Sequence, residues 1–106
     1  INHAKSNIEK FHLSQIEEVE QVETTEGVFC WRKSVAIEKV GLYVPAGTAP
    51  LFSTVLMLAI PAVIAGCKEI VLCSPPDKNG KIDPAILYTA KTCGVTKVFK
   101  VGGVQA

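Results

Sequence analysis

Residues 40–73, VGLYVPAGTAPLFSTVLMLAIPAVIAGCKEIVLC, decide the fold. The stretch opens with alternating apolar residues, which predict a strand over residues 40–44. It closes with the short apolar run 69–73, typical of a strand that is buried on both faces. Between the two, residues 51–65 form an almost wholly apolar segment ended by Gly66, which predicts a buried helix. The order strand, helix, strand predicts parallel pairing.

The same alternation continues toward the carboxyl end. Asp83 and Pro84 are typical of the start of a helix, and Gly94 is typical of its end. Residues 95–101, VTKVFKV, predict a third strand. Residues 102–106 then predict a turn that leads from this strand into a further helix.

The amino-terminal part has a different character. Residues 1–16 place apolar side chains at helical spacing, which predicts a helix. Residues 17–26 contain five glutamates and favour a solvent-facing edge or loop. Short alternating runs follow, so we expect two or three antiparallel strands within residues 19–44, a β-ribbon.

Together these elements predict the α/β fold class: a partial three-layer α/β/α parallel sheet preceded by an N-terminal helix and an antiparallel β-ribbon. A chain of 106 residues holds one domain at most. We divide it into a helix (1–16), a ribbon (17–44) and a βαβαβ segment (45–106). The chain starts with Ile1 and stops where a helix should begin, so we expect it to be truncated relative to a longer protein.

Composition excludes several classes of partner. Eleven basic and ten acidic residues give a net charge of +1, which excludes the strongly basic footprint of a nucleic-acid-binding protein. The apolar run 51–65 is shorter than the ~20 residues of a membrane-spanning helix and contains Pro61. We therefore expect no nucleic acid and no membrane as partners, and a cytoplasmic location.

The four cysteines do not form a metal-binding pattern. Cys30, Cys67, Cys73 and Cys93 include no Cys-x-x-Cys pair, and structural zinc sites need closely spaced ligand pairs. Three of them sit in strongly apolar sequence, and no signal peptide precedes them. We therefore interpret them as buried cytoplasmic thiols and expect no metal ligands in this chain.

No residue pattern supports catalysis within the chain. Neither a Gly-x-Ser-x-Gly elbow nor a nucleophile with a placeable histidine occurs. His3 and His12 are about half a helical turn out of phase, so they face different directions. Asp77 and Asp83 flank a loop, where we expect a turn residue and a helix N-cap. We therefore predict no catalytic residue.

A ligand site is expected beyond the carboxyl ends of the strands, where parallel α/β sheets bind their ligands. Two of these ends carry glycines before a helix start, which suits an anionic group such as pyrophosphate but equally suits an ordinary turn. Tyr43 and Gln105 are polar residues at the ends of predicted central strands. Each is either a ligand contact or a surface residue, and the pattern alone leaves both open.

Two long segments carry a specific resemblance. Residues 40–76, VGLYVPAGTAPLFSTVLMLAIPAVIAGCKEIVLCSPP, and residues 86–106, ILYTAKTCGVTKVFKVGGVQA, resemble the histidinol dehydrogenase family. The earlier segments NIEKFH and GVFCWRKSVAIEKVGLYVP are similar to the same family. The resemblance therefore covers nearly the whole chain.

The resemblance implies a function. Members of that family oxidise L-histidinol to L-histidine in two successive NAD-dependent hydride transfers, the last steps of histidine biosynthesis. They are zinc-dependent homodimers built on aldehyde-dehydrogenase-like α/β domains, so the sheet here would be an incomplete Rossmann-type sheet. By the same resemblance, Tyr43 matches the NAD-contacting tyrosine of a Tyr-Val-Pro-Gly-Gly motif. Gln105 matches the NAD-contacting glutamine of Gly-Gly-Ala-Gln-Ala.

Two positions depart from these motifs. Ala46 replaces a glycine, which would cost ~1 kcal/mol if the position needs a positive φ. Val104 replaces an alanine beside Gln105, and its larger side chain could shift the turn.

The resemblance also implies that most of the machinery lies outside this chain. The family's zinc ligands, catalytic bases and histidinol-binding residues lie downstream of Ala106, so we expect the chain to be inactive alone. The alternatives are a free-standing nucleotide-binding module and a self-associating interaction domain without catalysis.

Overall fold

The computed structural model describes residues 1–47 and 49–106 and confirms the α/β class. An N-terminal helix precedes a two-stranded antiparallel sheet and a three-stranded parallel sheet. In chain order the elements are α1 (Asn2–Leu13), β1 (Val22–Thr25), β2 (Val28–Cys30), β3 (Lys39–Tyr43), α2 (Phe52–Ile64), β4 (Glu69–Cys73), α3 (Pro84–Thr92) and β5 (Lys97–Phe99). A 3₁₀ turn, Gly103–Gln105, follows β5.

The parallel sheet has the strand order β3-β4-β5, and its register aligns Tyr43 with Cys73 and Cys73 with Phe99. The predicted ribbon over residues 17–44 was therefore too long, because its last strand pairs in parallel with β4. The parallel pairing expected from the order strand, helix, strand is confirmed, and it removes this strand from the antiparallel ribbon expected within residues 19–44. The antiparallel ribbon comprises β1 and β2 alone, joined at Gly27.

Both crossover helices lie on the same face of the parallel sheet, where α2 and α3 contact each other. The inward side chains of the strands meet the helices in two joined apolar clusters, with Leu72 fully buried near their centre. Helix α1 packs on the outer side of α2 through Ala4 and Ile8. The described chain thus supplies the sheet and one helical layer of the predicted three-layer arrangement.

Local signals set the helix boundaries as expected. The Asp83 carboxylate accepts a hydrogen bond of 2.7 Å from Ala85 N–H, so Asp83 is the N-cap of α3. Gly66 and Gly94 follow α2 and α3 with positive φ angles of 89° and 78°, a conformation that favours glycine. Pro61 lies inside α2 without dividing it into two helices.

The opposite side of the parallel sheet, which we call the open face, has two different halves. Toward the amino ends of the strands, Glu69 forms ion pairs with Lys97 at 3.0 Å and with Lys39 at 3.8 Å. Toward the carboxyl ends, the register places Tyr43, Cys73 and Phe99 in one row across the sheet. The outer two of these side chains are 42% and 48% exposed, so this half presents apolar surface to solvent.

The burial of the cysteines differs from the prediction. Cys93 is buried, but Cys67 and Cys73 are half-buried and Cys30 is exposed on the ribbon. Cys73 illustrates the reason. Its sequence neighbours are apolar, yet its side chain points to the open face because successive residues of a strand face opposite sides. Whether a thiol on a strand is buried therefore depends on whether helices cover the face of the sheet to which its side chain points.

Candidate functional site

The carboxyl edge of the parallel sheet brings three loops together. Val44 N–H donates to Cys73 C=O at 2.9 Å, and Ser74 N–H donates to Phe99 C=O at 3.1 Å. Ser74 is only 3% exposed. Each of these bonds extends the parallel ladder one residue beyond a strand, so the first residues of the loops share the rigidity of the sheet.

A cavity of about 310 Å³ opens at this edge, between the loop after β3 and the loop that leads from β4 to α3. Its lining is mixed. Apolar and proline side chains form most of the wall, with the polar groups of Ser74, Asp77, Lys81 and Asp83 at the side of the β4–α3 loop. This is the place where parallel α/β sheets bind ligands.

The two aspartates of that loop are structural. Asp77 Oδ1 accepts hydrogen bonds from Asn79 N–H and Lys81 N–H, each at 2.8 Å, which closes a tight turn. Asp83 caps α3, as described above. Lys100 Nζ donates to Gly80 C=O at 2.9 Å and ties the tip of the loop to the end of β5. The expected turn and N-cap roles are confirmed, and both carboxylates are engaged in holding the cavity wall.

Tyr43 and Gln105 converge on one glycine. Gly103 N–H donates to Tyr43 Oη at 3.5 Å, a long hydrogen bond between residues sixty positions apart. Gln105 Oε1 folds back over the same turn, 3.1 Å from where a Cβ on Gly103 would lie. Gly103 itself has a φ of 68°, so a side chain there would be strained. The structure therefore brings the two predicted site residues to the same glycine.

The positions of these residues within the sheet correct one detail. Both were predicted at the ends of central strands, but among the described strands β4 is central. Tyr43 is the last residue of the outer strand β3, and Gln105 lies in the turn after the outer strand β5. Neither lines the cavity. The site has two adjoining parts. One is the cavity, and the other is the cluster of Tyr43, Gly103 and Gln105. Tyr43 also belongs to the row of residues on the open face.

Both departures from the family motifs are compatible with this geometry. Ala46 does not have a positive φ, because all positive φ angles among the described residues belong to glycines. The turn after β3 therefore costs alanine no left-handed strain. Val104 is 94% exposed, so its larger side chain points into solvent and leaves the backbone of the turn undisturbed.

The histidines lie away from this edge, on α1. His12 Nδ1 is 2.7 Å from Gln15 Oε1, and His3 Nε2 is 3.4 Å from Asn7 Nδ2. Each histidine thus has a local partner on or just after its own helix. Within residues 1–47 and 49–106, no group of three His, Cys, Asp or Glu side chains is arranged to hold a metal ion. In the same part of the chain, no helix is long and apolar enough to cross a membrane.

Sequence reasoning missed two contributors to the site. One is the amide of Gly103, which contacts Tyr43, and the other is Pro75, whose ring lies against Gly102. The signals were present as a glycine pair after β5 and a proline pair after β4. Neither pair indicates its partner, because the contact depends on the lateral order of strands in the sheet.

Comparisons with known proteins agree on one family. The family model described as histidinol dehydrogenase matches residues 1–106. The histidinol dehydrogenase of Bacteroides fragilis (strain YCH46) is 74% identical over 103 residues, which are 97% of this chain and 24% of that protein. The histidinol dehydrogenase of Mannheimia succiniciproducens is 59% identical over 106 residues, with 100% and 24% covered.

Among solved structures, the crystal structure of histidinol dehydrogenase from Elizabethkingia anophelis is similar, with a TM-score of 0.95 and 61% sequence identity. The match covers 99% of this chain and 24% of that one. The chain thus spans about a quarter of the length of the curated relatives and of the structure that it matches.

Proposed function

The chain belongs to the histidinol dehydrogenase family, and from this premise we propose that it forms part of the NAD-binding domain of an enzyme that oxidises L-histidinol to L-histidine. The observation that carries the proposal is the convergence of Tyr43 and Gln105 on Gly103. Bound NAD would supply the acceptor for the hydride. This chain would contribute contacts that hold the cofactor at the carboxyl edge of the sheet.

The chemistry of the cluster fits a dinucleotide. The Tyr43 hydroxyl accepts from Gly103 N–H, so its own proton remains available to donate to an oxygen of the cofactor. Gln105 adds an exposed carboxamide that both donates and accepts. Because Gly103 has no Cβ, the Gln105 carboxamide can lie over its backbone, so a cofactor at this turn would meet that carboxamide and the Tyr43 hydroxyl.

The remaining properties of the enzyme are proposals from family membership. Zinc, the catalytic bases and the histidinol-binding residues are assigned to parts of the enzyme outside this chain, and the described residues offer no fitting ligand set for zinc. The homodimer and the cytoplasmic location belong to the same group of proposals. No step of the reaction is assigned to a residue of this chain beyond cofactor contact.

The role of the cluster can be tested in a chimera in which residues 1–106 replace the matching quarter of the Bacteroides fragilis enzyme. We expect Gln105→Ala, and Tyr43→Phe in a second variant, to raise the KM for NAD roughly tenfold, the value of one lost hydrogen bond to the ligand. The KM for histidinol should change by less than about twofold. Val104→Ala is the matched control, since this neighbour of Gln105 is exposed. An unchanged KM for NAD in both site variants would refute the proposal.

Activity of the isolated chain provides a second test. Hydride transfer requires cofactor, substrate and base to be held together, and this chain has only cofactor contacts. We expect no turnover of histidinol with NAD and no saturable NAD binding by calorimetry, because few contacts must offset the cost of ordering the ligand. Measurable turnover would contradict the division of labour proposed above.

A further inference from the structure

Gly102 lies in close contact with the ring of Pro75, across two loops. A methyl group on Gly102 would lie 2.3 Å from Pro75 Cγ, 2.8 Å from its Cβ and 3.2 Å from its Cδ. Carbon atoms in contact normally stand about 3.5–4.0 Å apart. The space beside Gly102 is therefore already filled by the proline.

The need for glycine at this position is a matter of space and not of backbone conformation. Gly102 has φ −148° and ψ 178°, an extended conformation that any residue adopts. The next residue, Gly103, has a positive φ and needs glycine for the usual conformational reason. Gly102 is therefore required for lack of space, and Gly103 for its backbone conformation.

Pro75 is held where it stands. Ser74, the residue before it, is buried and bonded to Phe99 through its backbone amide. The proline ring restricts its own φ, and a second proline follows it. A side chain on residue 102 would therefore displace the turn after β5 more readily than it would displace the loop after β4.

We propose that Gly102 is a positioning residue: its contact with Pro75 sets the location of the turn that carries Gly103 and Gln105 beside Tyr43. The proposal rests on the proposed cofactor role of that cluster. The hydrogen bond from Gly103 N–H to Tyr43 Oη is already 3.5 Å long, so a displacement of the turn away from Tyr43 would break it. Gln105, on the same turn, would move with it.

The test is a double-mutant cycle in the Bacteroides fragilis chimera. We expect Gly102→Ala to raise the KM for NAD by roughly tenfold or more, with the KM for histidinol changed by less than about twofold. The double variant Pro75→Gly/Gly102→Ala removes all three ring atoms that the methyl group would meet, and it should restore the KM for NAD to within about threefold of the Pro75→Gly single variant. Pro75→Ala should rescue less well, because its Cβ would remain 2.8 Å from the added methyl.

Two results of this cycle would overturn the proposal. An unchanged KM for NAD in Gly102→Ala overturns the proposal, and so does a raised KM that Pro75→Gly fails to restore. Should Gly102→Ala fail to fold, the double variant decides: recovery of folding and of the KM for NAD supports the steric contact, and continued failure overturns it.

Gln105→Ala in the same chimera separates the positioning role of Gly102 from the cofactor site itself. A raised KM for NAD in Gln105→Ala with an unchanged KM in Gly102→Ala defeats the positioning role alone. An unchanged KM for NAD in both Gln105→Ala and Tyr43→Phe defeats the cofactor site itself.

Discussion

The two faces of the parallel sheet are built from the same three strands and have opposite properties. On the covered face, Ile70 and Leu72 of β4 are 2% and 0% exposed beneath α2 and α3. On the open face, the alternate residues of the same strand are half-buried, and the flanking Tyr43 and Phe99 are exposed. The period of two residues therefore places packed core side chains and partly exposed side chains alternately along a single strand.

The largest expected difference between the faces concerns stability. Leu72→Ala should lower the free energy of unfolding by about 3 kcal/mol, because it opens a cavity in a packed core. Val71→Ala, one residue away on the open face, should cost less than about 1 kcal/mol. Urea unfolding of the chain at low protein concentration, followed by circular dichroism, measures both. Equal costs would mean that the open face is packed as tightly as the covered one.

Thiol reactivity gives a second comparison of buried and open positions. Burial raises the pKa of the Cys93 thiol, so less of it is thiolate at any given pH, and its side chain is also shielded. We expect iodoacetamide to alkylate Cys73 on the open face at least roughly tenfold faster than Cys93. Peptide mass spectrometry over time distinguishes the two sites. Comparable rates would show that the Cys93 environment opens frequently.

The raised pKa of Cys93 also predicts a pH dependence of stability. Since the folded-state value lies above the unfolded one, the thiol contributes stability that is fully present below the unfolded value, near 9.0, and is lost as the pH rises above it. Cys93→Ala should therefore show a shallower decline in unfolding free energy above about pH 9. A decline as steep as that of the unmodified chain would assign the effect to other groups.

The smallest expected effect lies in the charged half of the open face. The hydrogen bond and charge of Lys97, followed by the charge of Lys39, lower the pKa of the Glu69 carboxyl below 4.5. A lowered folded-state pKa contributes stability above the unfolded value, and this is lost as the pH falls through the folded one. Glu69→Gln should lower the Tm slightly at pH 7 and by less as the pH falls through the folded-state pKa, and added salt should shrink the difference. A loss that persists in acid would point to packing and not to charge.

Local signals predicted most elements because short-range bonds determine them. The boundaries of β4 agree with the prediction, and Asp83 and Gly94 delimit α3 as expected. The same reasoning was wrong where the pairing or burial of a residue depends on elements far away in the sequence. It counted residues 40–44 both as the first strand of the parallel sheet and as the last strand of the ribbon, and only the first assignment is confirmed. It also took Cys73 for a buried thiol, although its burial depends on what covers the open face.

In the candidate site, too, local signals identified single residues, whereas their contacts depended on distant parts of the chain. Tyr43 and Gln105 could be singled out from the sequence, because each lies at the end of a predicted strand and matches a family motif. Their meeting at Gly103 could not, since a hydrogen bond spanning sixty residues exists only after three strands are laid side by side. Their role as cofactor contacts stays a prediction until the KM for NAD is measured.

The sequence by itself determined the order of helices and strands, the helix caps and the strand ends where polar residues accumulate, because each rests on hydrogen bonds and periodicities within a few residues. Tertiary structure alone decided which face of the sheet the helices cover and which apolar row stays open. It also decided that a glycine with ordinary backbone angles has no space for a side chain. The physical reason is that burial and steric exclusion are properties of neighbours in space, and at Gly102 that neighbour, Pro75, lies on another loop.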